Sequence, residues 1–427
     1  MLDKPQPSVL LVAAKWWPLS ARMAAALLRE GCRASAVCPA RHPLTYVAGL
    51  DRIYHYGRVF SLRRLRSALL DCQPDVVIPC DDGVVAQLHA LHRKEPVLRS
   101  LIERSLGSRQ GFSLLESRYS LIEAASESGI RVPKTVAIES EDDLVKWHAR
   151  RRVQTVLKVD GECGGNGVKI TRSLAESIAA REQLCTSRSA SIAFKRAMVD
   201  LDPLAVWQNG RKKQLGVTAQ EYIEGRPANS MLVCWHGELL AMISVIVVSA
   251  EGATGAATIV RRIRNDEMRV AAKLLALRFG LTGFYGLDFM IESATGRPFL
   301  IEMNPRCTQL GHIEFADQGS LAGVYAAALR GEPRPDSRNP ILQETIALFP
   351  QALGAGEACA PYIRASYHDV PLEEPRLRHE LMLGTWPNRR WLGRLYHALR
   401  PMRRTEPMIF EELPQASAGQ EIDAAAP

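Results

Sequence analysis

The sequence predicts an α/β protein that begins with a parallel sheet and continues with β-hairpins and single helices. Two observations predict this fold class. In the first hundred residues, short strand-like runs alternate with amphipathic helical runs, which is typical of a parallel sheet with crossover helices. Further along the chain, pairs of strand-like runs are separated by short glycine-containing turns. With 427 residues, 47% of them apolar, the chain can bury the cores of two or three domains.

The composition restricts the classes to which the protein could belong. No window approaches about 18 uncharged apolar residues, so no transmembrane helix is expected. The first eight residues do not resemble a signal peptide, which favours the cytoplasm. The nine cysteines form no C-x-x-C pair, so we expect reduced thiols rather than disulfides or zinc ligands. A net charge of +8 suits a nucleic acid, an acidic membrane surface or a small anion such as a nucleotide, and charge alone leaves all three open.

The first hundred residues contain the elements of a Rossmann-like layer. Strands are expected at 9–13, 34–38 and 75–79, with helices at 20–30 and 62–71 between them. The glycine fingerprint of dinucleotide-binding proteins does not follow the first strand, where the sequence is Ala-Lys-Trp-Trp-Pro. We therefore expect a Rossmann-like domain at residues 1–110 without its usual ligand.

Two carboxylates, Asp81 and Asp82, follow the apolar run that ends at Cys80. In open α/β sheets, this carboxyl edge of a strand is where ligands bind. An aspartate at this point can also cap the helix that is expected to start near Gly83. For Asp82 the sequence leaves both interpretations open.

A second sheet is indicated by the strands Thr155–Val159 and Val168–Thr171 on either side of the glycine-rich segment 161–167. Glycines let backbone N–H groups point at an anion, and Lys158 adds a positive charge beside the segment. No G-K-[ST] follows, so this is not a Walker A loop. A phosphate-binding loop and an ordinary structural hairpin are both compatible with the pattern.

The following elements alternate in the same way. We expect a strand through 219–223, a hairpin formed by 231–235 and 239–248, and a helix over 265–279 that ends at Gly280. These elements separate the glycine-rich hairpin from the last hairpin of the pattern.

That last hairpin, formed by 285–291 and 298–306, carries the most informative polar residues. Alternation places Glu302 and Asn304 on one face of its second strand, and hairpin pairing brings Asp288 within reach of that face. Two carboxylates and an amide oxygen are the hard ligands that Mg²⁺ prefers. The alternative is the exposed polar face of an edge hairpin.

In this order, the segments from Arg118 to Arg306 resemble the ATP-grasp superfamily and its carboxylate-amine ligases. The resemblance implies an ATP-grasp fold of two α+β lobes at residues 111–335, after the Rossmann-like domain. A C-terminal extension of unknown role with a disordered tail would follow at 336–427. The resemblance also implies ATP and two Mg²⁺ ions as cofactors, with Mn²⁺ as an alternative metal.

The resemblance further implies roles for individual residues. The residues implied to bind ATP are Arg118, Lys158, Gly164, Gly165, Gly167, Gln220, Glu221, Ile223 and Glu224; those implied to hold magnesium are Asp288, Glu302 and Asn304; and those implied to act in catalysis are Lys158, Arg262 and Arg306. Lys158 would contact the α- and β-phosphates, and Arg306 would stabilise the acyl phosphate. Backbone groups of Glu221 and Ile223 would hold adenine.

The resemblance does not settle two assignments, namely the residue that binds the ribose and the arginine that faces the γ-phosphate. Pro227 stands where D-alanine ligases often have an acidic residue for the ribose, so Glu224 or Asn229 would have to replace it. Arg262 is the preferred partner of the γ-phosphate and the substrate carboxylate, with Arg264 next. A solvated basic helix start is an equally weighted alternative for Arg264 and for its neighbour at position 261.

The resemblance implies an ADP-forming ligase that activates a carboxylate as an acyl phosphate and joins it to an amine. An ATP-grasp kinase for a small molecule and a non-catalytic nucleotide-binding protein remain alternatives; a biotin carboxylase is disfavoured because no biotin-carrier lysine segment is found. Small-molecule substrates are expected, nucleic acid is not, and a dimer is plausible. Residues 386–404 resemble an amphipathic helix, which could pack in the core, contact a membrane surface or bind a partner.

Overall fold

The computed structural model describes residues 6–57, 60–115, 117–151, 153–160, 167–186, 202–204, 207, 216–385, 389, 391 and 407–410. Gly164 and Gly165 therefore lie outside the described residues. So does nearly all of the segment 386–404, for which a membrane contact was one of the expectations.

The helices of five or more residues in the described part of the chain are α1 (Pro18–Arg29), α2 (Ser61–Cys72), α3 (Asp82–Lys94), α4 (Arg99–Leu106), α5 (Arg109–Leu115), α6 (Arg118–Glu127), α7 (Glu141–Arg150), α8 (Leu174–Thr186), α9 (Asp266–Phe279), α10 (Leu321–Arg330), α11 (Ala360–Arg364) and α12 (Pro375–Met382). The strands described are β1 (Ser8–Val12), β2 (Arg33–Cys38), β3 (Ile53–His55), β4 (Val76–Pro79), β5 (Thr135–Ile138), β6 (Thr155–Val159), β7 (Val168–Thr171), β8 (Val217–Glu221), β9 (Gly225–Trp235), β10 (Glu238–Ala250), β11 (Ala257–Ile263), β12 (Gly283–Glu292), β13 (Pro298–Asn304), β14 (Thr345–Ala347), β15 (Tyr367–His368) and β16 (Met408–Ile409).

The first sheet is parallel, with the strand order β3-β2-β1-β4. Its β1 is buried on both faces, since Val9 and Leu11 belong to one apolar cluster while Leu10 and Val12 belong to another. A parallel strand that is covered on both faces must be apolar throughout, which explains the continuous apolar run in the sequence. The Rossmann-like layer expected from the sequence is confirmed.

A small antiparallel sheet follows, with the order β5-β8-β6-β7. Helices α7 and α8 cover it, and Trp147 and Leu184 share an apolar cluster with Leu157 of the sheet. The hairpin formed by β6 and β7 is the one that the sequence predicted around the glycine-rich segment. Together these elements make the first α+β lobe.

The largest described sheet has the order β13-β12-β9-β10-β11-β14-β15, with β16 paired to β10. Its strands β14, β15 and β16 lie in the C-terminal extension, so part of that extension completes the sheet. Met231 and Ile243 of this sheet share an apolar cluster with Val9 of the first sheet. This shared core places one face of the large sheet against the Rossmann-like layer.

Local sequence signals explain several helix and turn boundaries. Asn265 caps α9 by accepting a hydrogen bond from the Met268 N–H, and Gly280 ends the helix with a φ of +58°. The turn between β9 and β10 has positive φ at both His236 and Gly237, as a two-residue hairpin requires.

Two expectations are corrected. Asp81, not Asp82, caps α3, because the Asp81 carboxylate accepts from the N–H of Val84, and the helix begins at Asp82. The interpretation of Arg261 as part of a basic helix start is also wrong, since β11 extends through Ile263 and α9 begins only after the Asn265 cap.

No helix among the described residues has both the length and the apolar character needed to cross a membrane. The eight described cysteines carry free thiols, and all but Cys72 and Cys185 are buried.

Candidate active site

Two acidic side chains face each other on neighbouring strands of the large sheet. Asp288 of β12 pairs directly with Glu302 of β13 and, on its other side, with Asn229 of β9. Directly opposed residues of antiparallel strands point to the same face of the sheet. These cross-strand neighbours form a row, which we call the carboxylate row, that continues through Val245 of β10 to Arg262 of β11. The polar side chains of the carboxylate row therefore share one face of the sheet.

Two amides hold the Asp288 carboxylate. The Nδ2 of Asn229 donates to Asp288 Oδ1 at 2.5 Å, and the Nδ2 of Asn304 donates to Oδ2 at 3.0 Å. Asn304 pairs with Gly286, and a Cβ at Gly286 would lie 2.3 Å from a methyl carbon of Thr308. Only glycine fits at this position unless the side chain of Thr308 moves.

Electrostatics around Asp288 favour a bound cation. Burial, followed by the charge of Glu302, raises the pKa of Asp288 to about 6. Two carboxylates held side by side in a desolvated site repel each other until a cation compensates them. With Asn304 they offer oxygen donors of the kind that Mg²⁺ takes. The described residues contain no group of three or more His, Cys, Asp or Glu side chains placed to hold a metal ion, so the amide oxygen would have to complete the donor set.

Lys158 lies within the same charge cluster. Its Nζ donates to the backbone carbonyl of Ile301 at 3.0 Å. Burial lowers the pKa of Lys158 to about 8, with the nearby charges of Glu302 and Asp288 opposing that shift and Arg118 adding to it. An incoming anion such as a phosphate would favour the protonated lysine.

Arg118, the second residue predicted near the phosphates, bridges the two lobes. It is the first residue of α6, which Ser117 caps. Its guanidinium donates to Glu302 Oε1 at 2.8 Å and to the carbonyl of Val159 at 2.9 Å. The structure therefore places Arg118 between the β6 strand that carries Lys158 and the β13 strand that carries Glu302.

Arg306 connects the large sheet to the Rossmann-like layer. Its Nε donates to Asp82 Oδ1 at 2.9 Å, and an Nη donates to Asn304 Oδ1 at 3.2 Å. Burial alone would raise the pKa of Asp82, but the charge and hydrogen bond of Arg306, together with the charges of Lys15 and Arg118, outweigh burial and lower it. Asp82 is therefore a site residue whose contact the sequence did not predict; the only signal was its position at the carboxyl edge of β4.

The predicted adenine hinge lies at the end of β8, beside the strand of Lys158, which pairs with Thr218. The buried Gln220 side chain donates to Thr135 Oγ1 at 3.1 Å, and the N–H of Glu221 donates to the Lys134 carbonyl at 2.9 Å. Glu221 thus has its carbonyl, rather than its N–H, to offer a nucleobase. Ile223 follows the strand end.

The remaining predicted nucleotide residues are placed as follows. Glu224 is exposed, and its carbonyl accepts from the N–H of Ser293. Asn229 binds Asp288, so its side chain belongs to the carboxylate row and not to a separate ribose site. Gly167 accepts from the N–H of Val159 at 3.0 Å, which closes the base of the glycine-rich loop.

Arg262 shares the sheet face of the carboxylate row but has a partner of its own. It lies three strand spacings, about 14 Å, from Asp288. Its guanidinium binds both carboxylate oxygens of Asp317 at 2.6 Å and stacks 4.1 Å from the ring centroid of Phe315. Arg264, which is mostly exposed, binds the same carboxylate at 2.8 Å. Asp317 was not predicted, because it comes from a loop far along the chain.

Comparisons with known proteins identify the family of the segment that carries most of these residues. Residues 115–309 match the family model described as the ATP-grasp domain. No curated protein matches the sequence at a significant level.

Solved structures share the fold at low identity. N5-carboxyaminoimidazole synthetase from Staphylococcus aureus, complexed with ADP, is 16% identical with a TM-score of 0.54, over 79% of this chain and 81% of that chain. Carboxyaminoimidazole ribonucleotide synthase from Aspergillus clavatus, complexed with ATP, is 15% identical with a TM-score of 0.56, over 79% and 80%. The biotin carboxylase domain of Hydrogenobacter thermophilus 2-oxoglutarate carboxylase, complexed with MgADP and bicarbonate, is 14% identical with a TM-score of 0.56, over 78% and 71%.

Proposed function

We propose that this member of the ATP-grasp superfamily, whose ATP-grasp domain spans residues 115–309, is an ATP-dependent ligase. It would activate a carboxylate as an acyl phosphate, join it to an amine and release ADP and phosphate. The domain limits expected from the sequence, 1–110, 111–335 and 336–427, belong to the same proposal.

The observation that carries the proposal is the pairing of Asp288 with Glu302 in one register, close enough to Lys158 and Arg306 for their charges to interact. Burial raises the pKa of Asp288 and lowers that of Lys158, so each would be stabilised by an opposite charge, and a metal–triphosphate complex supplies both charges. The structure of a relative with MgADP and bicarbonate and of another with ATP support the same assignment.

Each side chain would have a defined task. Mg²⁺ held by Asp288, Glu302 and Asn304 would neutralise phosphate oxygens. Lys158 would bind the phosphates, and its contact with the Ile301 carbonyl orients it toward the sheet that carries the carboxylates.

Arg306 would act on the second half of the reaction. Asp82 and Asn304 fix its guanidinium from two sides, so it is preorganised to hold the oxyanion that develops as the amine attacks the acyl carbon. The nitrogen forms its bond to that carbon, and the bond to phosphate breaks with its electron pair on the leaving phosphate. Catalysis here is positioning and electrostatics.

The test is a screen of carboxylates, bicarbonate included, for exchange of the βγ-bridge oxygen in labelled ATP without any amine present. Reversible phosphoryl transfer to a carboxylate scrambles this label. An ADP-forming ligase should show carboxylate-dependent exchange, ADP rather than AMP, and trapping of a hydroxamate by hydroxylamine. Release of AMP and pyrophosphate, or accumulation of a phosphorylated alcohol, would contradict the proposal; the second result is the signature of a kinase.

A metal-ligand variant tests the site itself. Glu302→Ala and Asn304→Ala should lose nucleotide affinity in calorimetry only when Mg²⁺ is present. Unchanged MgATP binding in both variants would refute the metal assignment. Asp142→Asn is a suitable control, since it removes a carboxylate that is exposed and paired with Lys146 within one helix.

A further inference from the structure

Two buried polar side chains and one largely buried arginine, from distant parts of the chain, meet beside the segment that carries Arg306. His312 lies six residues after Arg306, Arg22 comes from α1, and Asp369 follows β15. His312 Nε2 lies 3.0 and 2.9 Å from the two oxygens of Asp369, and Arg22 binds the first of these oxygens. We call these three residues the Asp369 cluster.

Hydrogen-bond geometry defines the state of His312. Because Asp369 can only accept, Nε2 carries the ring proton. Burial lowers the pKa of His312, and the charges of Arg22 and Arg29 add to this shift while Asp369 opposes it. The ring is therefore neutral at pH 7, and its Nδ1 carries a lone pair.

Three polar atoms around the Asp369 cluster have no hydrogen-bond partner within the described ranges: Nδ1 of His312, Nε of Arg22 and Oε1 of Gln351. All three residues line one small cavity, together with Gln309 and the first residues of α1. Its volume of about 10 Å³ is enough for one group of the size of water. Leaving a buried donor and two buried acceptors unpaired is costly, which indicates an occupant.

The pattern of donors selects the chemistry of that occupant. Arg22 Nε offers one hydrogen, whereas His312 Nδ1 and Gln351 Oε1 each accept one. A neutral amine or a water satisfies this pattern, because each has two hydrogens for the two acceptors and a lone pair that receives from the arginine, whereas a hydroxyl has only one hydrogen to donate. An ammonium ion has no lone pair for Arg22, and an anion would face two acceptors.

The cavity lies along the edge of the proposed catalytic site. Gln309 is three residues from Arg306, and the N–H of Cys307 between them donates to the carbonyl of Pro79 at the end of β4. The cavity also touches Pro18, where α1 begins after β1, and β1 pairs with β4. The cavity and the contact between Arg306 and Asp82 therefore both border the carboxyl edge of the first sheet, where open α/β sheets bind ligands.

We propose that this cavity is the subsite for the attacking amine, and that His312, oriented by Asp369, accepts its proton. This inference rests on the proposed ligase function. The amine lone pair leaves its hydrogen bond with Arg22 Nε and forms the bond to the acyl carbon, a proton of the amine moves to Nδ1 of His312, and phosphate leaves with the electron pair of the broken C–O bond. His312 then returns the proton to solvent. Asp369 and Arg22 are positioning residues, since they act through the imidazole and the bound amine.

A binding experiment tests the subsite without any chemistry. The full chain with ¹⁵N-labelled histidine is titrated with hydroxylamine, a small nucleophile that is neutral at about pH 8. The Nδ1 resonance of His312, assigned by its loss in His312→Gln, should shift saturably in the wild type. The shift should weaken by about tenfold in apparent affinity in Arg22→Lys, which keeps the charge but removes the Nε donor.

His42 is the internal control. It is also buried and neutral, but its Nε2 faces the carbonyl of Lys15 and its Nδ1 accepts from the N–H of Leu44, so hydroxylamine should leave its resonances unchanged. No saturable shift at His312, or an equal shift at both histidines, would overturn the subsite and leave a bound water as the occupant.

A kinetic experiment separates the two proposals. With ammonium chloride as the amine source, His312→Gln should lower amide formation by about 100-fold or more, while carboxylate-dependent isotope exchange in ATP stays within about twofold of the wild type. Equal losses in both assays would mean a structural role and overturn the inference. If no carboxylate supports exchange in the wild type, the ligase function fails, whereas the hydroxylamine titration still decides whether the cavity binds an amine.

Discussion

Replacing Asp288 by asparagine should stabilise the metal-free protein and at the same time abolish Mg²⁺-dependent nucleotide binding. Without metal, burial and then the charge of Glu302 raise the pKa of Asp288 from 3.8 to about 6. The native state therefore holds this proton more tightly than the unfolded state, and ionisation of Asp288 at pH 7 destabilises the fold.

The size of the effect follows from the shift. A difference of about two pKa units corresponds to ~3 kcal/mol. Its sign is opposite to that of an ordinary ion pair: the penalty is absent below about pH 4, grows as the pH rises, and is complete above about pH 6. Asp288→Asn removes the penalty: Asn304 can still donate to the new side-chain oxygen, and the amide of Asn229 can turn so that its oxygen accepts from the new side-chain nitrogen. We expect a thermal midpoint a few degrees above that of the wild type at about pH 7.5, and little difference at about pH 4, where Asp288 is largely protonated in both states.

Two measurements check this expectation, namely thermal unfolding without Mg²⁺ at both pH values and calorimetric titration with MgATP. The control is Asp142→Asn, whose carboxylate is exposed and should affect neither result. The reasoning is refuted if Asp288→Asn is no more stable than this control at the higher pH. It is equally refuted if the variant still binds MgATP with the affinity of the wild type.

The central hairpin of the candidate site could be predicted because its register is encoded locally. Strand alternation and a short turn place Asp288 opposite Glu302. The hydrogen bond between Asn229 and Asp288 could not be predicted in this way, because it depends on how β9 pairs with β12. These two strands lie more than fifty residues apart in the sequence. The sequence suggested Asn229 only as a partner for the ribose.

Contacts between residues of different sheets could likewise not be predicted from local sequence patterns. The sequence suggested that Asp82 either binds a ligand or caps a helix, whereas it binds Arg306, 224 residues later. His312 and Asp369 form a contact although 57 residues separate them, and no local sequence pattern distinguishes either residue. Periodicity determines which face of an element is buried, but the partner across the interface depends on how the elements pack.

Three further variants address the phosphates, the oxyanion and the acid stability of the fold. Lys158→Ala should weaken ATP binding far more than AMP binding, since its ammonium lies beside the carboxylate pair, and equal losses in calorimetry would indicate a structural hairpin. Arg306→Ala should lower turnover by about two to three orders of magnitude with little change in ATP affinity, as for loss of one oxyanion donor. Asp82→Asn only loosens Arg306 and should therefore lower turnover less. A larger loss of turnover in Asp82→Asn than in Arg306→Ala would contradict this order. Burial lowers the pKa of His42 from 6.5 to about 4. Between these two values the unfolded chain takes up a proton that the native state excludes. The free energy of unfolding should therefore decline by roughly 3 kcal/mol as the pH falls from about 6.5 toward 4. His42→Asn keeps an acceptor for the N–H of Leu44 but does not titrate. The difference in unfolding free energy between wild type and variant should therefore shrink as the pH falls over this range. Parallel curves of unfolding free energy against pH for the two proteins would show that protonation of His42 does not limit acid stability.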